Sequence, residues 1–318
     1  MMNPLVTVVT PSYNNSKTIF GAIDSVLMQS YPNIQYIVCD DASGDFDGEA
    51  IIEYIRAKNT GNIVDLIVTR NDSNLGITKN LNRALSQANG KYLFNVAADD
   101  EFFDESVLTQ WVERFESTSA DVITAKRAVY DENLATHLYD APTATEIAVI
   151  KDSTPRELFE KMRGYNLIFG CCTARTKKSF DLMGGYDEKY PLIEDYPSNL
   201  KLLRLGVCIE FWDRAVVKYR SGGISSQGGL SEKYLQISDS IFKNEVLPYC
   251  QNPSAAKADY SAWKNEAIWL REKKSFESAH NDKNTACKRL KYICFMAVKH
   301  PILSIKRFIR TKLWTSNK

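Results

Sequence analysis

Three acidic clusters hold the groups in this chain best suited to chemistry: Asp40 with Asp41, Asp99 with Asp100 and Glu101, and Glu194 with Asp195. In the stretch GKYLFNVAADDEFFD, a mostly apolar run from Tyr92 to Val96 stops abruptly at Asp99, Asp100 and Glu101. A short apolar run between Gly90 and an acidic cluster reads as a buried parallel strand that delivers carboxylates to its C-terminal end. In an open α/β sheet, ligands bind in the crevice at the carboxyl ends of the strands. Adjacent carboxylates repel, so a hard divalent cation, Mn2+ or Mg2+, bridging them to phosphate oxygens accounts for the pairing. From these residues alone, an acidic turn capping a helix that starts near Ser106 accounts for it equally well.

The elements that must position these groups follow from periodicity. Val6 to Thr10 is a β-branched run ended by Pro11 and followed by the turn residues SYNN, the pattern of a first strand and its loop. Ile19, Phe20, Ile23, Val26 and Leu27 recur at helical spacing behind Thr18, a residue suited to the N-cap. Ile34 to Cys39 reads as a second strand that ends at Asp40 and Asp41. Next come a helix carrying Ile51, Ile52 and Ile55, a third strand from Val64 to Val68, and a helix with Leu81, Ala84, Leu85 and Ala88 on one face. Four strands alternating with helices imply a parallel sheet built from right-handed crossovers. A further helix runs from Val107 to Phe115, after which the alternation turns irregular through residues 121–170.

Composition narrows the classes. At 318 residues, length suggests about two domains, and 44% hydrophobic residues is ordinary for a soluble globular chain. The net charge of +1 argues against a general nucleic-acid binder. That charge is uneven: residues 283–318 hold ten Lys/Arg and no acid, which leaves −9 on residues 1–282. The seven cysteines are odd in number, scattered and free of C-x-x-C spacing, as expected of reduced packing residues in a cytosolic protein without structural zinc. The N-terminus reads as a strand instead of a signal peptide, and no window approaches a membrane-spanning length.

A dinucleotide-binding fold would share the acid after strand two, but it needs G-x-G-x-x-G in its first turn. TPSYNNSKTIFG has no glycine before Gly21, and no G-x-x-x-x-G-K-[ST] occurs anywhere.

The order VVTPSYN, IVCDDAS, NLGITKNLNRALSQANGKY and AADD resembles the nucleotide-binding half of family 2 glycosyltransferases with the GT-A fold, over roughly residues 5–220. The resemblance implies a mostly parallel central sheet flanked by helices. It also implies that Pro11, Tyr13 and Asp41, with Asp40 beside it, hold the base and ribose of a nucleotide sugar. The chemistry agrees, since an aspartate accepts from a uracil or thymine imide N–H and a turn tyrosine packs against the ring. From their own residues, Asp40 and Asp41 also fit an Asx turn. The family's metal motif is usually Asp-x-Asp; here Ala97 stands first, leaving Asp99 and Asp100 as the metal pair, with Asp99 shared with the donor and Glu101 as a further candidate. Lys79 and Asn82 could face the diphosphate, or a solvated helix face.

Further on, MGGYDEKYPLIEDYPSNLKLLRLG places Glu194 and Asp195 before a helix, where a carboxylate is commonly an N-cap. The resemblance instead makes Asp195 the general base of inverting transfer, supported by Glu194 with Tyr186 or Asp187 nearby, and the reaction needs one such proton acceptor. In VVKYRSGGISSQGG, relatives carry a histidine where this chain has Ser221, Gly222 and Gly223. Arg220 is expected to offer positive charge to the leaving group, and the glycines suggest a loop that orders over bound donor.

The chain is therefore expected to comprise a GT-A domain over 1–225 and a helical extension over 226–318, and to be a metal-dependent inverting transferase. Its donor would be a UDP-sugar, with dTDP offering the same imide edge, and its acceptor a glycan or lipid-linked hydroxyl. A homo-oligomer is compatible with this. The tail has two apolar stripes, Leu290 to Val298 and Ile302 to Leu313, among Lys288, Lys291, Lys306, Arg307, Arg310 and Lys312. Such helices suit an anionic membrane surface on the cytoplasmic face, each cation adding about 1 kcal/mol, and also suit packing on protein. Two other readings stand beside the enzyme. Ala97 and the missing histidine motivate a degenerate nucleotide-sugar or glycan-binding domain. A sugar-phosphate nucleotidyltransferase would need a glycine-rich basic loop after strand one, and none is present.

Overall fold

A computed structural model describes residues 3–223 and 231–279. Nine strands form one sheet: β1 (Val6–Ser12), β2 (Ile34–Asp40), β3 (Ile63–Arg70), β4 (Tyr92–Asn95), β5 (Glu101–Phe102), β6 (Val122–Tyr130), β7 (His137–Ala141), β8 (Thr173–Thr176) and β9 (Ile209–Arg220). Their order is β3-β2-β1-β4-β8-β6-β9-β5, with β7 beside β6. The β3-β2-β1-β4 portion is parallel, because each of its strands returns through a helix: α1 (Ile19–Leu27), α2 (Gly48–Lys58) and α3 (Ile77–Leu85). Beyond β4 the sheet becomes mixed. β8 runs antiparallel to β4 and β6, β9 parallel to β6, and β5 antiparallel to β9.

All seven residues of β1 and all seven of β2 are buried, since helices cover both faces of the sheet. Successive side chains point to opposite faces, so each strand feeds two cores. Val6, Val8, Tyr36, Val38, Tyr92 and Phe94 pack with α1, α2 and α4 (Val107–Thr118). Val9, Ile37, Cys39 and Leu93 pack on the other face with α3, α6 (Pro155–Lys161), α7 (Lys177–Met183) and α8 (Asp195–Arg204); α5 (Ala144–Asp152) adds Ile150. That second core also takes in Ile241 of α9 (Glu232–Ile241), Phe242 and Val246 of the following π-turn, and Ala256 and Tyr260 of α10 (Pro253–Ala279). The boundary expected at 225 thus does not divide the packing. The basic tail from 283 lies outside the described residues. Among those that are described, no helix is long and apolar enough to cross a membrane.

Two local expectations change. Strand β1 does not stop at Pro11 but continues to Ser12, pairing Pro11 with Cys39. Proline is tolerated because the paired ladder with β4 ends at Val9 and Asn95, so no β4 partner requires the missing N–H, while Pro11 O still accepts from Ala98 N at 3.1 Å. Thr18 stands at the N-cap position of α1, yet its hydroxyl bonds Asn15 O and caps no helical N–H. Cys39, Cys171, Cys172, Cys208 and Cys250 are free thiols.

Candidate active site

The carboxyl ends of β1, β2 and β4 form one rim. After β1, Tyr13 is 47% exposed, and Asn14 N donates to Ser43 Oγ at 2.7 Å, tying this loop to the one after β2. There the two aspartates are not open to solvent. Asp40, fully buried, accepts from Ser43 N and Oγ, the Asx-turn arrangement, with Arg70 Nε 3.7 Å away. Asp41, 3% exposed, accepts from Asn71 Nδ2 at 2.9 Å, Leu75 N at 2.8 Å and Gly76 N at 2.8 Å. Gly76 takes φ +84°, a conformation that glycine adopts without strain and that starts α3 directly after this contact. These two carboxylates brace the loops of the rim; Tyr13 is the exposed aromatic there.

At the end of β4, Asp99 and Asp100 come together with the end of β9. Asp100 Oδ1 accepts from Arg220 N at 2.8 Å, and Arg220 Nε donates to Asp99 O at 2.7 Å while Nη1 reaches Glu132 O at 2.6 Å. The Arg220 guanidinium is thus anchored on two carbonyls beside the pair. Burial raises both carboxyls above the usual range, and for Asp100 the neighbouring Asp99 charge adds to it. Gly223 passes over Asp99: a Cβ built there would lie 3.5 Å from Asp99 Oδ2. Glu101 does not join them, because its carboxylate turns to Gly21 of α1. None of the three acids caps α4: Asp104 accepts from Ser106 N before the helix starts, at 2.9 Å, and Gln29 Oε1 accepts from Leu108 N of the first turn at 3.0 Å.

Residues Asp99 and Asp100 supply hard oxygen donors, and among the described residues no third His, Cys, Asp or Glu completes a cluster. That set fits Mn2+ or Mg2+, which binds through one or two carboxylates and takes its other ligands from water and substrate phosphates. A half-buried carboxylate beside a buried one whose proton affinity it raises is a donor set that a cation would stabilise.

Glu194 and Asp195 begin α8 without acting as side-chain caps. Asp195 Oδ2 accepts from Asn166 Nδ2 at 2.9 Å and Gly170 N at 3.0 Å, and Oδ1 from Tyr196 N at 2.7 Å. Gly170 is required by close approach, since a Cβ there would meet Glu194 Oε1 at 3.0 Å and Asp195 Cβ at 3.2 Å. Burial and the Asp195 charge push the Glu194 carboxyl up to about 8. Asp195 is also raised by burial, but its N–H donors, Arg127 and Arg175 oppose the rise. Burial thus raises both carboxyls of the pair, and the N–H donors that oppose the rise are gathered on Asp195.

Arg127, in β6, joins the two carboxylate pairs. Its guanidinium lies 3.9 Å from the ring centre of Phe169 and 4.4 Å from that of Tyr219, and its positive charge acts on both Asp100 and Asp195. Nothing in the residues 121–170 marked Arg127, Asn166 or Gly170 beforehand. The only signal was an arginine and an asparagine in otherwise irregular segments.

The loop that carries Glu194 is pinned to the half that holds β1 to β4. Asn82 Oδ1 accepts from Tyr186 N, and its Nδ2 donates to Tyr186 O, both at 2.9 Å. Tyr186 is buried and its hydroxyl lies 3.3 Å from Asn95 Nδ2, at the end of β4. Asn82 is therefore a brace between the halves, and Lys79 sits on an exposed face 3.9 Å from Glu188. Asp187 accepts from Lys189 N in the same loop. A separate cleft of about 630 Å3, lined by Thr154, Phe159, Arg204 and Tyr249 among others, shares no residue with this site, and Arg204 is committed to Glu245 there.

The sequence model described as glycosyl transferase family 2 matches residues 7–183, more than half of the chain. A glycosyltransferase of Haemophilus influenzae is 25% identical over 98% of this chain and 92% of its own length. GlyG of Streptococcus pneumoniae is 29% identical over 42% of each chain, so this chain spans less than half of that relative. WcaA of Escherichia coli, a putative colanic acid biosynthesis glycosyl transferase by its name, is 34% identical over 31% of this chain and 34% of its own. Among solved structures, residues 1–349 of S. aureus TarS in complex with UDP match at a TM-score of 0.60 and 18% identity, over 91% of this chain and 78% of that one. The mannosyltransferase PcManGT of Pyrobaculum calidifontis, in complex with GDP-Man and Mn2+, matches at 0.59 and 17%, over 95% and 82%. These likenesses show the GT-A fold.

Proposed function

Because this chain belongs to glycosyl transferase family 2, we propose that it moves a sugar from a nucleotide sugar to a hydroxyl of a glycan or lipid-linked oligosaccharide with inversion at the anomeric carbon. The observation that carries this reading is Asp195, whose carboxylate accepts from three N–H donors and shares the positive charge of Arg127 with Asp100. Asp195 takes the proton of the acceptor hydroxyl as its oxygen attacks the anomeric carbon, and the bond from that carbon to the diphosphate breaks. Asp99 and Asp100 would hold Mn2+ or Mg2+, which when bound neutralises charge on the diphosphate. Arg127 and Arg220 add fixed positive charge on the same side without reorganising. Tyr13, Pro11 and the braced loops of Asp40 and Asp41 form the wall for base and ribose.

UDP is the first choice of nucleotide, supported by the fold shared with TarS, whose structures hold UDP or UDP-GlcNAc. The names of WcaA and TuaG, which refer to colanic and teichuronic acid biosynthesis, support a surface-polysaccharide acceptor. A screen of nucleotide sugars by thermal shift with and without Mn2+ tests the donor, because bound donor stabilises the fold by mass action. With the donor in hand, Asp195→Asn should bind it normally and lose at least about 100-fold in kcat. Donor affinity that collapses while turnover at saturation persists would make Asp195 a binding residue.

A further inference from the structure

Resting on the reading of Asp195 as the base, we infer that Asn166 is its positioning residue. The Asn166 amide, with Gly170 N–H, clamps Oδ2 so that the negative charge stays on Asp195 and the proton of the pair on Glu194. The geometry is specific on both sides of the amide. Asn166 Nδ2 donates to Asp195 Oδ2 at 2.9 Å, while Asn166 Oδ1 accepts from Ile168 N at 3.1 Å, which settles which end of the amide faces the carboxylate. Gly170 N completes the clamp at 3.0 Å, where a Cβ would approach Glu194 Oε1 to 3.0 Å and Asp195 Cβ to 3.2 Å, closer than side chains ordinarily pack. Oδ2 thus carries two N–H donors and Oδ1 only that of Tyr196, the next residue in α8.

Two half-buried carboxyls side by side cannot both ionise cheaply, so whichever receives more N–H donors keeps the charge. Asp195 receives three, whereas the hydrogen bond that lowers Glu194 comes from its own backbone N–H. Of the other groups facing the pair, Arg127 of β6 also favours charge on Asp195, whereas Arg175 of β8 acts on both members. Tyr186, and Tyr234 of α9, are neutral phenols raised by burial. The amide of Asn166 is the side-chain hydrogen-bond donor that discriminates.

The test needs no substrate. Carboxyl 13C resonances of the 318-residue protein, assigned with Asp195→Asn and Glu194→Gln, are titrated in the wild type, Asn166→Ala and Asn166→Leu. The leucine variant keeps the volume should the alanine variant fail to fold. The wild type should show Asp195 ionising before Glu194. Loss of a hydrogen bond to a charged group should raise the Asp195 midpoint by about one pH unit or more. A purely structural role for Asn166 predicts lower thermal stability with no such shift. An unchanged midpoint in the folded variants, or Glu194 ionising first in the wild type, overturns the inference. Wild-type transfer by Asp195→Asn would instead sink the base assignment itself, whatever the titration shows.

Discussion

Arg220 N donates to Asp100 Oδ1 at 2.8 Å across 120 residues of chain, so the strand that presents the carboxylate pair and the strand that leads into the glycine loop end at one point. Asp100 consequently has a structural duty that Asp99 does not share. Asp100→Ala should cost about 1–3 kcal/mol in urea unfolding, the penalty for a buried N–H left without its acceptor. Asp99→Ala should leave stability within about 0.5 kcal/mol of wild type. Both should reduce the extra thermal shift that Mn2+ gives in the presence of donor. If both variants keep that Mn2+ increment intact, the pair does not hold the cation.

Glu194 predicts a pH dependence of stability with a definite sign. Its carboxyl is raised from an ordinary value of 4.5 to about 8 in the folded protein, so between those values the folded state binds more protons than the unfolded one. Stability from this group is present at low pH and falls as pH rises through the window, by up to about 1.4 kcal/mol per unit. Glu194→Gln mimics the protonated form. Urea midpoints measured from pH 5 to 9 should therefore show the variant losing less stability than wild type between pH 5 and about 8, with no further divergence above that. Parallel curves would mean that Glu194 ionises normally.

Asp41 is predicted to act through the fold. Asp41→Ala leaves Leu75 N without its acceptor and weakens the hold on Asn71 and Gly76, which keep Asn80 Oδ1 and Asn74 Oδ1, for a cost of about 1–3 kcal/mol. A drop in urea midpoint at unchanged slope is the expected result. A stable variant with specifically weakened donor binding would return Asp41 to direct contact with the base.

The basic tail, residues 283–318, is predicted to bind anionic membrane. The 318-residue chain should sediment with anionic vesicles at low salt and partly detach as salt rises, since exposed charges are screened within about 8 Å at physiological ionic strength. A chain ending at Asp282 should lose sedimentation while keeping donor binding. Failure of the 318-residue chain to sediment even at low salt would point to packing on protein.

Periodicity and turn chemistry were enough to place the first four strands, their helices and the three acidic clusters, because these depend on residues within a turn or two of one another. The run from Tyr92 to Val96 ending at Asp99 and Asp100 is such a case: burial of the run follows from its own composition. What each carboxylate contacts was decided by the tertiary structure. Asp40 and Asp41 have the same neighbours in sequence whether they face a nucleotide or brace a loop, and only the return of Asn71, Leu75 and Gly76 commits Asp41 to the brace. Arg127, Asn166 and Gly170 come from irregular segments without period, and they reach Asp195 through contacts between strands and loops distant in the chain. A stacked guanidinium, an amide clamp and a backbone N–H leave no spacing pattern, because the free energy that selects them arises from burial and charge in a site assembled after the chain has folded.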